Sequence, residues 1–337
     1  MMRRQLVPTI RTFSAERDFD DVFSLWHICF PQWAMARDVL RRVISKQAQS
    51  GADDHLVAAV EDHIVGFIAT QVLPAAQSPP RLGSILALMV TPDARGRGLG
   101  TALHGAALER LAKRGAQQVQ VGGGDPRVWP GVPTDLSTAI AFFSRRGWQW
   151  DHTVVDMVRD VRTFTMPRAV QERAVQLQLT FALLTPMEVG ELLAFEDREF
   201  PHWGRGVREI LALGDINDVL VARARTGEIV GTLSLYSAHS HPDRTDVLWK
   251  QQLGVDVGAL GGVGVAQSVR GRGIGLAMVA RGVEVLRERG TRMCFLGWVW
   301  ASGFYGRLGF QTWRTYAMSM RPLHAVDGSH AETAGDD

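Results

Sequence analysis

Cysteine is nearly absent: Cys29 and Cys294 are the only two in 337 residues, one in each half. That excludes a disulfide framework and a cysteine-rich zinc site. Both sit among apolar residues and read as buried thiols of a reducing compartment. No apolar run comes near the roughly 18–20 residues that crossing a membrane requires. The N-terminal stretch MMRRQLVPTIRTF has no apolar core of a secretory signal. A cytoplasmic protein without a membrane partner is expected. An excess of either charge is missing too, with 37 basic against 35 acidic residues, which is too even to point to nucleic acid. The pair His239 and His241 has no third ligand placed beside it, so no metal is expected.

What the chain does have is a soluble composition, 46% hydrophobic and 21% charged, and a length that suits two domains. It also repeats itself. Arg95-Gly96-Arg97-Gly98-Leu99-Gly100 returns as Arg270-Gly271-Arg272-Gly273-Ile274-Gly275, 175 residues on. Phe30-Pro31-Gln32-Trp33 returns as Phe200-Pro201-His202-Trp203 after 170, and Phe142-Phe143 to Trp148 as Phe304-Tyr305 to Phe310 after 162. Three matches in one order mean duplication. The shrinking offset places an insertion of 13 residues in the first copy, around residues 122–133, whose glycines and prolines argue against regular structure.

Each copy shows the same order of elements. In the first, residues 7–13 read as a strand, 19–30 and 37–46 as helices, 55–60 and 64–72 as a hairpin and 84–90 as an apolar strand. Helix 100–114 carries Leu103, Ala107, Leu108 and Leu111 on one face and ends at Gly115. Strand 119–121, helix 134–146 and strand 154–161 follow. In the second, the hairpin spans 219–224 and 229–235, the apolar strand 258–265, the helix 275–289 and the next strand 293–299. Domains over 1–162 and 173–324 are expected, joined by a polar stretch at 163–172. A small, acidic tail, 325–337, is expected to be disordered.

The glycine-arginine loops carry the strongest signal. Each lies between an apolar strand and a helix. Glycine lets the backbone turn tightly and approach a ligand. The first N–H groups of a helix lack intrahelical partners and sit at the positive end of its dipole. Such a loop cradles a pyrophosphate. It is no Walker loop, since Lys and Ser or Thr do not follow, and its G-x-G-x-G pattern is not the Rossmann fingerprint.

Both loops resemble the R/Q-x-x-G-x-G/A signature of the GCN5-related N-acetyltransferases (GNAT), and the element order resembles that family twice over. The resemblance implies an α/β fold: two tandem domains, each a mixed sheet flanked by helices. It also implies acetyl-CoA as co-substrate, with the pyrophosphate held by Arg270, Gly271, Arg272, Gly273, Ile274 and Gly275, and by Arg95, Gly96, Arg97, Gly98, Leu99 and Gly100 in the first copy. Val265, with Val90 as its counterpart, would offer an oxyanion donor through its N–H. Phe304-Tyr305-Gly306-Arg307-Leu308-Gly309-Phe310 resembles the family's F-Y-x-x-x-G-F, so Tyr305 takes the role of general acid toward the departing thiolate. The first copy has Phe143 there and is expected to be catalytically degenerate.

The family's usual base, a Glu on the strand before the loop, has no match here. Glu196, Glu199 and His202 stand where the family's first helices wall the acceptor site, and Glu196 and Glu199 are the candidates. Trp203, Trp298 and Trp300 are expected on the acceptor side, the last two on one face of a strand by alternation. They suit a small-molecule amine, and the tryptophan segments resemble tandem members that act on or sense amino sugars. The rival expectation is a binding module that senses acetyl-CoA or an amino sugar without turnover.

Overall fold

A computed structural model describes residues 8–48, 55–61, 63–73, 80–201 and 204–323. The expected disordered tail and two expected acceptor-side residues, His202 and Trp203, lie outside the described residues. No helix among the described residues is long and apolar enough to cross a membrane.

Along the chain run β1 (Thr9–Thr12), α1 (Ala15–Cys29), α2 (Arg37–Ala48), β2 (Leu56–Val60), β3 (His63–Val72), β4 (Leu82–Val90), α3 (Leu99–Lys113), β5 (Gln118–Val121), β6 (Val132–Pro133), α4 (Ser137–Ser144) and β7 (His152–Asp160). Then follow α5 (Arg168–Gln176), β8 (Thr180–Leu183), α6 (Val189–Glu199), α7 (Gly204–Ala212), β9 (Val219–Arg223), β10 (Ile229–Tyr236), α8 (Lys250–Leu253), β11 (Val257–Val265), α9 (Ile274–Glu288), β12 (Met293–Val299), α10 (Ser302–Gly306), β13 (Gln311–Met318) and β14 (Met320–Pro322).

The chain packs as two compact units. One holds the residues up to Thr153 and those from Tyr316 onward; the other is Val154–Thr315. The repeat and the packing unit thus divide the chain differently. In the first unit the sheet order is β1-β2-β3-β4-β5-β14, and its outermost strand, from the chain's last segment, pairs Met320 with Gln120. In the second unit the order β8-β9-β10-β11-β12-β7 repeats the pattern. Here the strand that ends the first repeat sets Arg159 opposite Cys294. Each strand satisfies an edge that would otherwise be left open.

Each central helix covers one face of its own sheet. Helix α3 buries Leu99, Leu103, Ala107 and Leu111, one side chain per turn. Helix α9 presses closer: a Cβ on Gly282 would lie 2.5 Å from Cδ2 of Leu233. Within the polar join, α5 begins at Arg168 and buries Ala174. One expectation needs correction. The insertion is not irregular to its end, because Val132 and Pro133 pair with Ala317 and Tyr316. Nor is it a surface loop, since Val128, Trp129 and Val132 are buried.

Candidate active site

In the second unit β11 and β12 run parallel and pair at Val257–Met293, Gly258–Cys294 and Ala259–Phe295. Both strands continue, to Val265 and Val299, without further pairing to each other. The sheet therefore opens between them. Ala266 N–H donates to Val230 O at 2.9 Å, so strand alternation turns the N–H and C=O of Val265 away from β10 and toward the opening. Arg270 Nε donates to that carbonyl at 2.8 Å, which staples the loop to the strand it leaves. The residue read as a phosphate ligand is thus also a loop brace.

The loop itself is shaped by glycine. Gly271 has φ +76° and Gly273 φ +95°, conformations that cost an L side chain roughly 1–2 kcal/mol. Gly273 is the N-cap of α9 and supplies no side-chain cap, so the first-turn N–H groups are left for an anion. A Cβ at Gly271 would meet nothing within 4 Å. An open, donor-rich helix start of this kind fits a pyrophosphate. The side chain of Arg173 on α5 lies against it, with Nε donating to Arg272 O at 2.8 Å.

Helix α10 reaches the same place. A Cβ on Gly275 would stand 3.5 Å from Cζ of Phe304, so Phe304 rests on the first turn of α9. The next residue, Tyr305, is partly buried against the unit's core, edge-on to Phe304 at 4.9 Å. Burial raises its phenol pKa above the ordinary value, which keeps it protonated as a donor.

The two candidate carboxylates separate cleanly. Glu199 Oε2 accepts from Gln267 N–H at 2.9 Å, and Arg198 Nε donates to its Oε1. These bonds lower its pKa, and it braces the turn that leads into the loop. Glu196 is buried, 2% exposed, and burial raises it to about 7 against a weaker opposing effect of the nearby Thr232 hydroxyl. Neither Glu196 Oε1 nor Thr232 Oγ1 has a hydrogen-bond partner among the described residues. Thr232 faces Gly264 across the β10–β11 ladder, one residue before Val265. A Cβ on Gly264 would lie 2.5 Å from Phe200 Cε2 and 3.2 Å from Thr232 Cγ2. A buried carboxyl with one oxygen unpartnered among the described residues therefore lies next to the opening.

The sequence model of the acetyltransferase (GNAT) family matches residues 19–148 and again 184–310. The chain belongs to that family. A mycothiol acetyltransferase of Nocardia farcinica is 28% identical over 259 residues, 75% of this chain and 76% of that one. One from Rhodococcus opacus is 26% identical over 77% of this chain and 80% of its own. Among solved structures, a GCN5-related glucosamine N-acetyltransferase region of a fungal multidomain GH3 β-N-acetylglucosaminidase superposes with a TM-score of 0.88 at 34% identity. It covers 94% of this chain, which spans 38% of that larger one. A tandem GNAT protein from clavulanic acid biosynthesis shares the fold, with a TM-score of 0.64 at 14% identity, over 95% of this chain and 100% of its own. The chain is thus a tandem GNAT acetyltransferase of a family that moves acetyl groups from acetyl-CoA to amines.

The first GNAT unit keeps the loop and differs in the residues around it. Parallel pairing of β4 with β5 stops at Ile85–Val121 while β4 runs on to Val90. Thr91 N–H donates to Val65 O, Arg95 Nε to Val90 O at 3.0 Å, and Gly96 and Gly98 have φ +74° and +80°. Helix α3, opening at Leu99, starts as α9 does, with Phe142 Cε2 3.1 Å from a Cβ on Gly100. But Phe143 is buried against His104 and Trp148. Burial lowers His104 to about 4, so its neutral ring accepts the Trp148 indole N–H at 3.0 Å. At the positions of Glu196 and Glu199, the same distance before the Phe-Pro pair, stand Trp26 and Cys29. Cys29 is only partly buried, short of the expected buried thiol, and its Sγ lies 3.7 Å from Arg95 Nη2. Trp26 stacks on Trp129 of the insertion at 5.3 Å, with Phe30 and Trp33 edge-on to the same ring.

The tryptophans of the second unit differ from expectation. Trp298 is left-handed, φ +56°, in a bulge between Leu296 and Val299. Strict alternation fails there, so the expected shared face of Trp298 and Trp300 does not follow. Trp300 lies beyond the strand end and is 83% exposed. Sequence reasoning missed Asp156, a 2% exposed carboxylate on β7 whose Oδ1 accepts the Trp298 N–H at 3.0 Å. Its signal was present: one charge in the apolar run Val154-Val155-Asp156-Met157-Val158.

Proposed function

We propose that the second unit alone carries the transferase site, moving acetyl to the primary amine of a small molecule of the amino-sugar class. The observation that carries this reading is Glu196: a buried carboxyl raised to about 7, with an oxygen lacking a partner among the described residues, beside the strand opening. It sits in the unit that also has Tyr305. The amino-sugar class is supported by the likeness, at 34% identity, to the fungal glucosamine N-acetyltransferase region.

Acetyl-CoA supplies an activated carbonyl and a thiolate leaving group. Residues 270–275 hold its diphosphate, and residues 95–100 offer a second cradle in the first unit. Glu196, as carboxylate, takes a proton from the acceptor's ammonium. The neutral nitrogen then forms its bond to the acetyl carbon. The N–H of Val265 faces the opening and stabilises the developing oxyanion, a contribution of roughly 10²–10³ in rate for one such donor. As the carbon–sulfur bond breaks, the Tyr305 hydroxyl delivers a proton to sulfur, and the proton then shed by the acetylated nitrogen restores the phenol. The products are the acetamide and the free thiol, with one proton released overall. Glu199 and Arg270 position the loop.

The test is thiol release from acetyl-CoA with glucosamine and a panel of amines. Turnover by the intact protein, lost in Glu196→Gln, is expected. Carrier binding without thiol release on any amine would overturn the reading in favour of a sensor.

A further inference from the structure

We infer that Gly261 is a specificity-determining residue of the site just proposed, on which this inference rests: its missing side chain makes room for the ring of a cyclic primary amine beyond the reacting nitrogen. The face follows from register. Leu233 and Leu235 belong to the core that α9 covers, so Thr232, Ser234 and Tyr236 point to the opposite face of the sheet. Ser234 pairs with Gly261 and Thr232 with Gly264, and residues opposed across a ladder share a face. Leu260 and Leu296 also belong to the α9-covered core, which puts Gly261 and Gly297 on that same opposite face. Strands β11 and β12 are interior to the sheet, yet Gly261, Gly262 and Gly297 are exposed. Bare backbone thus lies open at the root of the opening, just past the last parallel pair Ala259–Phe295.

The fold accounts for two of these glycines and not for the third. Gly262 takes φ +55° where the β10–β11 register shifts between Thr232 and Ser234, and a bulge residue in that conformation favours glycine. A Cβ on Gly297 would lie 3.1 Å from Phe295 Cε1, so little room exists there for a side chain. Gly261 has neither constraint. It does not take a positive φ, and a Cβ on it would meet nothing within 4 Å among the described residues. Glycine in the interior of a strand weakens it, and one that packing does not demand marks a place where a ligand comes close to the backbone. The neighbouring groups point to a ligand as well. One same-face step along β10, roughly 7 Å at about 3.4 Å per residue, stands Thr232. Its Oγ1 and the nearby Glu196 Oε1 are buried without a hydrogen-bond partner among the described residues. With the acceptor's nitrogen at Glu196 and the acetyl carbonyl at the Val265 N–H, the rest of the acceptor has the open face above Gly261 to occupy. A single ring suits a space of that length.

The experiment places Gly261→Ala and Gly261→Val in the full chain and compares two acceptors, glucosamine and ethanolamine, the second keeping an amine beside a hydroxyl but having no ring. Gly261→Val is expected to raise KM for glucosamine at least tenfold, with KM for acetyl-CoA unchanged. The ratio of kcat/KM for glucosamine to that for ethanolamine is expected to fall at least tenfold, and Gly261→Ala to lie between Gly261→Val and the intact protein. Neither variant is expected to unfold at a lower temperature. Unchanged glucosamine kinetics in Gly261→Val overturn the assignment. So does a rise in KM for acetyl-CoA as large as that for glucosamine, which would put the carrier rather than the acceptor over Gly261. A lower unfolding temperature in Gly261→Ala overturns it too, by making glycine a demand of the fold. Each of these leaves the proposed function intact, whereas no turnover of either amine by the intact protein overturns both.

Discussion

At Glu196 the requirements of folding and of the proposed chemistry oppose each other. As a base it must be ionised, so kcat/KM is expected to hold above about pH 7 and to fall tenfold per unit below it. A pH–rate profile reads this limb, and a midpoint near the ordinary Glu value would dismiss Glu196 as the base. For stability the sign reverses. A carboxyl raised in the folded state prefers its proton there, so its favourable contribution is complete below the ordinary pKa and is lost as pH rises through about 7. Glu196→Gln is therefore expected to abolish turnover while gaining roughly 2–3 kcal/mol over the intact protein at pH 8 and little at pH 4.5. Unfolding curves at the two pH values check it; a purely structural carboxylate would give a loss at both. Tyr305→Phe removes the hydroxyl of a ring partly buried against the unit's core. It is expected to lower kcat about 10²-fold or more with acetyl-CoA affinity retained, and unchanged turnover would remove Tyr305 as the acid.

At the scale of the element, the strand–loop–helix unit was legible from the sequence because glycines at fixed offsets leave few backbone choices. Gly271 and Gly273 take positive φ as Gly96 and Gly98 do, and β11, α9 and β12 lie within a residue of the positions their apolar spacing indicates. What the sequence did not show is where pairing stops. The bulge at Trp298 and the parting of β11 from β12 after Ala259–Phe295 depend on neighbouring strands, and a local pattern carries no record of them. The separation of Glu196 from Glu199 was hidden for the same reason: they lie three apart on one helix, yet only Glu199 meets the Gln267 amide. The loop yields a paired prediction. Gly273→Ala forces a side chain into φ +95° and against Arg173 Cγ at 3.3 Å, disturbing the first-turn N–H groups. KM for acetyl-CoA is expected to rise about tenfold or more, equivalent to roughly 1.4 kcal/mol, with kcat at saturation little changed. Gly98→Ala makes the matching change in the first unit and should leave both constants near those of the intact protein. Equal effects from the two substitutions would contradict a single working site.

Across the whole molecule, duplication left two copies of one scaffold, and the differences between them concentrate where chemistry would occur. The sequence disclosed the repeat but not the exchange of closing strands, since β7 and β14 read alike whichever sheet they complete. It flagged Phe143 but not the aromatic cluster that Trp26 and Trp129 form in the first unit. Trp26 replaces the buried carboxyl, Phe143 the phenol, and Trp129 brings the insertion onto Trp26, Phe30 and Trp33. Reversing one of these changes should therefore restore nothing. Adding Phe143→Tyr to Tyr305→Phe is expected to leave thiol release at the level of Tyr305→Phe alone, because the first unit has Trp26, not a carboxyl, at the position of Glu196. The same cluster should matter for folding. Trp129 is 5% exposed among three aromatic neighbours, and Trp129→Ala is expected to cost about 3–5 kcal/mol, against little from truncating Trp300, which is 83% exposed. Unfolding followed by tryptophan fluorescence measures both. If Trp129→Ala were neutral in stability and Phe143→Tyr raised turnover, the first unit would be a dormant enzyme rather than a scaffold whose acceptor side has become core.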